Sequence, residues 1–349
     1  MKNSVLFSLL VVAATGFTLL GAPRIAVDAD TYDFGQIVAG LSVVHTFTLS
    51  NTGDQPLEIV GVSSAGCGCT TTALERSTLA PGESVPLRMA VNTAGFSETI
   101  TKKATVTSTD PATPALDLVI TGTLIPAESY QTPAAELHRL YFLLVDLRAP
   151  EEYQASHLMG AVNLPYAELD QWMSRLPSGV LVILYDRDGS SADGAAQTLQ
   201  QAGFPEARSL LGGLDQWMFA YQDKYLFTTG ESPAVSTSGA TSPAQPYHVA
   251  VAWLDRNFLL LIDLRPEEEY QARHLLGAIS LPYEELAQWT TSLPQSVSIV
   301  LYDHDGSVSD PAAQAMQQAG FLGAQSLLGG LDEWLLAYGD RYLSAPDAE

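Results

Sequence analysis

Cysteine is nearly absent from this chain of 349 residues: Cys67 and Cys69 stand either side of one glycine, and no other follows. Two cysteines cannot build a disulfide framework or a four-thiolate zinc site, and among nearby side chains only His45 is a plausible third metal ligand. Everything beyond position 69 is also denied thiol chemistry. Positive charge is scarce as well, with 16 Lys and Arg against 39 Asp and Glu, a formal net charge of -23. Such a surface repels nucleic acid and anionic lipid, so no nucleic-acid partner is expected. The composition is 46% hydrophobic and 9% aromatic, which excludes a disordered chain and a polytopic membrane protein.

Long apolar runs are missing outside one stretch, Val5 to Ala22, which follows Lys2. This pattern predicts export, with residues 1–22 as a signal peptide or an uncleaved N-terminal anchor. Pro23 disfavours a cut directly after Ala22, and no Cys follows for lipid attachment. Lys2 before the run, with Arg24 offset by Asp28 and Asp30 after it, places the bulk of the chain outside, in the periplasm or on the outer face of the membrane. Membrane contact is expected only through that anchor.

At this length two or three domains are expected. From Ala26 to Leu124, runs such as "VVHTFTLSN", "VPLRMAVN" and "LDLVITGTL" alternate apolar and polar residues between Gly, Pro, Asn and Asp breaks. Period-two alternation predicts six to seven strands of an immunoglobulin-like β-sandwich, residues 23–126. Residues 127–136 read as a linker.

The remainder is a repeat with a constant offset of 117 residues, which pairs Asp146 with Asp263, His157 with His274 and Asp186 with Asp303. More than half of the paired positions are identical, which is the signature of a duplicated domain and not of a solenoid. Apolar strands such as "FLLVD" and "VLVILY" alternate with amphipathic helices, so each copy is an α/β domain with a parallel sheet. The copies run over 137–227 and 247–343. Residues 228–246, rich in Ser, Thr, Pro and Gly, read as a flexible linker, and 344–349 as a tail.

In each copy a late strand ends in Asp-x-Asp-Gly-Ser, at Asp186 and Asp188 in the first and Asp303 and Asp305 in the second. The carboxyl ends of parallel strands are where ligands collect. One reading of these acids is a divalent-metal site for hydrolytic or phosphatase-like chemistry, because the motif resembles the opening motif of the haloacid dehalogenase superfamily. That superfamily also needs a downstream Lys, and the copies hold Lys224 alone. An EF-hand register puts Leu184 and Ala195 at the ligand ends and fails.

"VDLRAPEEYQASHLMGAVNLPYAEL" and "IDLRPEEEYQARHLLGAISLPYEEL", followed by the loop, a helix ending "QQAGF" and "LLGGLDQW" or "LLGGLDEW", resemble the rhodanese family. The resemblance implies a loop that carries a sulfur-accepting Cys, a Gly and an Arg. Gly189 and Gly306 are present, but Asp186 and Asp303 occupy the Cys position, and Ser191 and Val308 the loop Arg position. A carboxylate cannot carry a persulfide, so neither sulfurtransferase activity nor a cofactor is expected. The family loop aims backbone N–H groups and a helix N-terminus at its anion, and Asp186 can place its own carboxylate there. Asp146 with Arg148, and Asp263 with Arg265, are implied to be buried pairs supporting the loop. His157 and His274 are expected to hydrogen-bond turns. Trp172, Trp217, Trp289 and Trp334 are read as core. Asp310 before Pro311 predicts a helix cap, with Asp193 as its repeat counterpart.

"CGCT", "LAPGESVPLRMAVNT" and "LVITGTL" are similar to a bacterial family of exported immunoglobulin-like domains without an established function. In an oxidising compartment Cys67 and Cys69 read as a disulfide or a buried pair in a turn, with a thiol redox or sulfur-carrier role as the alternative. The leading expectation is an exported, non-catalytic binding or scaffolding protein whose partner is another envelope or exported protein.

Overall fold

The computed structural model describes residues 21–64, 68–229, 245–340 and 342–344; the expected leader, most of the second linker and Cys67 lie outside them. The N-terminal part is all β: β1 (Ile25–Val27), β2 (Thr31–Val38), β3 (Ser42–Asn51), β4 (Leu57–Ser64), β5 (Thr70–Leu74), β6 (Thr78–Leu79), β7 (Ser84–Asn92), β8 (Glu98–Ser108) and β9 (Ala115–Ile125). They form a four-stranded sheet, β1-β3-β7-β5, and a five-stranded sheet, β2-β9-β8-β4-β6. The predicted alternation is visible in β7, where Val85, Leu87, Met89 and Val91 are buried and Ser84, Pro86 and Arg88 are exposed. Phe47, Leu49, Leu57, Leu118 and Ile120 complete this core. Among the described residues nine strands stand where six or seven were expected, because β1 and β6 are too short to show a period in sequence.

The first α/β copy comprises β10 (Gln131–Thr132), α1 (Ala134–Leu140), β11 (Phe142–Asp146), α2 (Pro150–Ala155), β12 (Ser156–Leu158), β13 (Ala161–Asn163), α3 (Leu169–Trp172), β14 (Leu181–Tyr185), α4 (Ser190–Gln201), β15 (Ala207–Leu210), α5 (Gly213–Tyr221) and β16 (Leu226–Thr228). The second comprises β17 (His248–Val249), α6 (Val251–Asn257), β18 (Leu259–Asp263), α7 (Glu267–Ala272), β19 (Ala278–Ser280), α8 (Tyr283–Trp289), β20 (Ser298–Tyr302), α9 (Ser309–Gln318), β21 (Ala324–Leu327) and α10 (Gly330–Tyr338). Central strands such as β14 are buried on both faces, which accounts for their unbroken apolar sequence.

The sheet orders contain an exchange. One parallel sheet is β13-β11-β14-β15-β17 and the other β19-β18-β20-β21-β10. Ser209 pairs with His248 and Leu210 with Val249, while Gln131 pairs with Ser326 and Thr132 with Leu327. Each copy therefore takes its edge strand from the other. The stretch 127–136, expected to be a linker, holds β10 and the start of α1. Helix α1 packs on α10, and α6 on α5. Leu137 and Leu254, one on each arm helix, are fully buried, each worth about 2 kcal/mol of apolar burial.

Candidate functional site

Tyr185 and Tyr302, the last residues of β14 and β20, are fully buried, and burial pushes both phenols well above their usual pKa. Their hydroxyls accept the N–H of Leu158 and Leu275, each at 3.1 Å. The chain then turns through Asp186 to Gly189, and through Asp303 to Gly306, into α4 and α9. Gly189 has φ 90° and Gly306 φ 93°, a left-handed conformation that a side chain disfavours.

In the first copy Asp186 Oδ1 accepts the N–H of Gly189 at 2.6 Å and Oδ2 that of Ser191 at 2.7 Å. In the second, Asp303 Oδ1 accepts from Gly306 N at 3.0 Å, Ser309 N at 3.3 Å and Ser309 Oγ at 2.7 Å; Oδ2 accepts from Val308 N at 2.9 Å and Ser307 Oγ at 3.4 Å. Both side chains are buried. Each carboxylate fills a cradle of N–H groups at the start of its helix, where a negative charge is stabilised. Ser191 and Val308 contribute a backbone N–H to their carboxylates.

Asp188 and Asp305 face solvent and accept the N–H of Ser190 and Ser307 at 3.0 Å. Those serines hold both carboxyls below the usual carboxylate range. Among the described residues no group of three or more His, Cys, Asp or Glu is arranged to hold a metal ion.

A second loop presses on the first. A Cβ on Gly213 would lie 2.6 Å from the Asp186 carbonyl oxygen, and one on Gly330 2.4 Å from that of His304. Leu214 N and Asp215 N donate to the carbonyls of Asp186 and Arg187, and Leu331 N and Asp332 N to those of Asp303 and His304. The second Gly of "LLGG" is thus needed for close approach, a role not assigned to it in the sequence.

Asp146 and Asp263 are fully buried at the ends of β11 and β18. Arg148 reaches Asp146 Oδ2 at 2.6 Å and the Ser156 carbonyl at 2.6 Å; Arg265 reaches Asp263 Oδ2 and the Arg273 carbonyl at the same distances. His157 and His274 contact the carbonyls of Tyr153 and Tyr270 through Nδ1 at 2.7 Å, and burial pulls both imidazoles below their usual pKa. Trp217 and Trp334 are core, whereas Trp172 and Trp289 are half-buried and line clefts between the copies.

Asp310 is not the cap it was expected to be. Val308 is the N-cap of α9, and Asp310, inside the first turn, accepts from Gln131 Nε2 at 2.6 Å and Ser326 Oγ at 2.5 Å. Asp193 likewise accepts from Ser209 Oγ at 2.6 Å and contacts His248 Nε2 at 3.0 Å. These acids are turned to the sheet edge because the exchanged strand brings a polar side chain there.

Residues 25–124 match a family described as a protein of unknown function, DUF1573. Residues 130–220 and 248–337, together more than half of the chain, match the rhodanese-like domain. The chain belongs to the rhodanese-like family. An uncharacterized protein of Bacillus subtilis, YqhL, is 35% identical over 74 residues, 21% of this chain and 59% of that protein; the chain thus spans under two thirds of that relative. A thiosulfate sulfurtransferase from Pseudomonas aeruginosa is 23% identical, covering 62% of this chain and 43% of the enzyme, with a TM-score of 0.24. A protein of unknown function from Porphyromonas gingivalis is 22% identical, covering 29% and 47%, with a TM-score of 0.27.

In the β domain Cys69 directly precedes the edge strand β5 and is disulfide-bonded. The only other cysteine in the chain is Cys67.

Proposed function

We propose that this is an exported, non-catalytic binding or scaffolding protein in which two rhodanese-like copies serve as rigid recognition modules. The observation that carries the reading is the placement of Asp186 and Asp303: the N–H groups that would receive a substrate anion are already bonded to the chain's own carboxylates. A free anion entering either loop would meet negative charge and occupied donors. With an Asp at the thiol position there is no sulfur nucleophile at either loop. The disulfide at Cys69 supports an oxidising, extracytoplasmic location, in keeping with the leader read in residues 1–22. The partner in this reading is another exported or envelope protein, and no cofactor is required.

Thiocyanate formation from thiosulfate and cyanide tests it. The purified protein is expected to give the rate of the buffer blank, and any rate above the blank would overturn the proposal; its survival in the Asp186→Ala, Asp303→Ala double variant would trace it to Cys67 and Cys69.

A further inference from the structure

The exchanged arms do more than close two sheets. Gln131 and His248 are repeat counterparts, and each bonds an acid in the first turn of the loop helix of the opposite copy: Gln131 to Asp310 in α9, His248 to Asp193 in α4. Gln245 N donates to His248 Nδ1 at 2.9 Å, which leaves Nε2 as the proton-bearing nitrogen that donates to Asp193. Ser209 and Ser326, themselves paired with positions 248 and 131 in the sheets, donate to the same two acids. The helix turn that follows each Asp-filled cradle is therefore tied to an arm of the other copy.

The arms are joined closely to their own copies: one residue, Pro133, joins β10 to α1, and one residue, Tyr141, joins α1 to β11; Ala250 and Phe258 do the same in the second copy. Each arm nevertheless docks on the neighbouring copy. Phe258 then packs on Tyr225 with ring centroids 4.4 Å apart, and Tyr141 on Tyr342 at 5.5 Å.

We propose that Gln131 and His248 are positioning residues that couple the two loops, each arm holding the loop helix of the opposite copy, so that a partner meets the tandem as one unit. Release of the arm of one copy loosens the loop of the other. The coupling is independent of what the loops bind.

Hydrogen exchange of the full chain, read by peptide, tests this. His248→Ala is expected to speed exchange in the 186–193 segment about tenfold, the effect of losing one buried hydrogen bond, and to leave 303–310 unchanged; Gln131→Ala is expected to do the reverse. His248→Gln, which copies the residue at the equivalent position of the first copy, should restore slow exchange in 186–193. Loosening of 303–310 by His248→Ala, or no local change in either variant, would overturn the proposal, as would failure of His248→Gln to restore protection. A second measurement leaves the arm residues untouched: a protease site placed within 230–244 is cut, and native mass spectrometry follows the product. The two fragments are expected to stay together as one species, and their separation into two folded fragments would refute the exchange.

Discussion

Ser191 donates its backbone N–H to Asp186 Oδ2 at 2.7 Å, so a side chain of the protein itself occupies the cradle of N–H groups that this loop forms. The loop retains the geometry of an anion site, with Gly189 in the left-handed region and a helix opening behind it, while its donors are spent internally. Removing the carboxylate separates the two properties.

Asp186→Ala should leave the fold intact and lower the unfolding free energy by about 2–3 kcal/mol, because two charge-assisted hydrogen bonds are lost at a buried site. Asp303→Ala should cost at least as much, since five donors are left without their acceptor. Sulfate at high millimolar concentration should recover part of the lost Tm in either variant beyond its general effect on the parent protein. Thermal denaturation with sulfate, and with chloride at matched ionic strength, checks this.

A thiol placed in the cradle should be activated. In Asp186→Cys the N–H groups and helix N-terminus favour the thiolate, as at other helix-start cysteines. Alkylation by iodoacetamide near pH 6.5 is expected to be at least about tenfold faster than for a free cysteine. Mass spectrometry of the loop peptide measures it.

The buried Asp146 and Asp263 hold guanidinium groups that are themselves almost wholly buried. Asp263→Ala leaves Arg265 with only the looser Glu269 carboxylate, 3.8 Å away, and should destabilise the second copy by about 3 kcal/mol, read as a shift in the urea midpoint.

His157 and His274 have pKa values pulled down by burial from the usual 6.5. A base with a lower pKa in the folded state binds fewer protons there than in the unfolded chain, so stability rises with pH through this window. The protein should lose stability as pH falls below about 6.5 and stop losing it, on this account, once the folded-state pKa values are passed. Chemical denaturation from pH 7.5 to 5 should show that slope, and His157→Gln with His274→Gln should flatten it. Carboxylates such as Asp28 and Asp110, whose pKa values are held low, act only at more acid pH.

Reduction should be a precondition for labelling the β domain. Native protein is expected to take up no maleimide at Cys69 until a reductant is added, and intact mass then reports the thiols released.

Much of this architecture is legible in the sequence because it depends on local pattern. Alternation in "VPLRMAVN" marks β7, unbroken apolar runs mark β11 and β14, and the constant offset of 117 residues marks the two copies. Part of the loop was legible as well, since an Asp able to place its carboxylate in the cradle, and the Gly three residues on, are read directly. The arm exchange was not. The sheets of the copies are closely similar in sequence, so pairing rules cannot say whether β10 belongs beside β15 or β21. Asp193 and Asp310 were misread for the same reason. An acid in the first turn of a helix looks like a cap until a strand from elsewhere arrives with a Gln or a His. The tightness of Gly213 and Gly330 is a tertiary fact, visible only once the loop carbonyls are in place.

Gly160 and Gly277 approach closely, and a Cβ on either would lie about 3 Å from the carbonyl oxygen of the other, so the two copies meet backbone to backbone as the halves of a dimer would. Here one polypeptide supplies both, joined by the Ser- and Thr-rich stretch between Leu226 and His248. A covalent tether of that length keeps the partners at an effective concentration on the order of millimolar. Dilution therefore cannot dissociate them, and a protein released into an unbounded volume would keep its dimer-like core at any abundance.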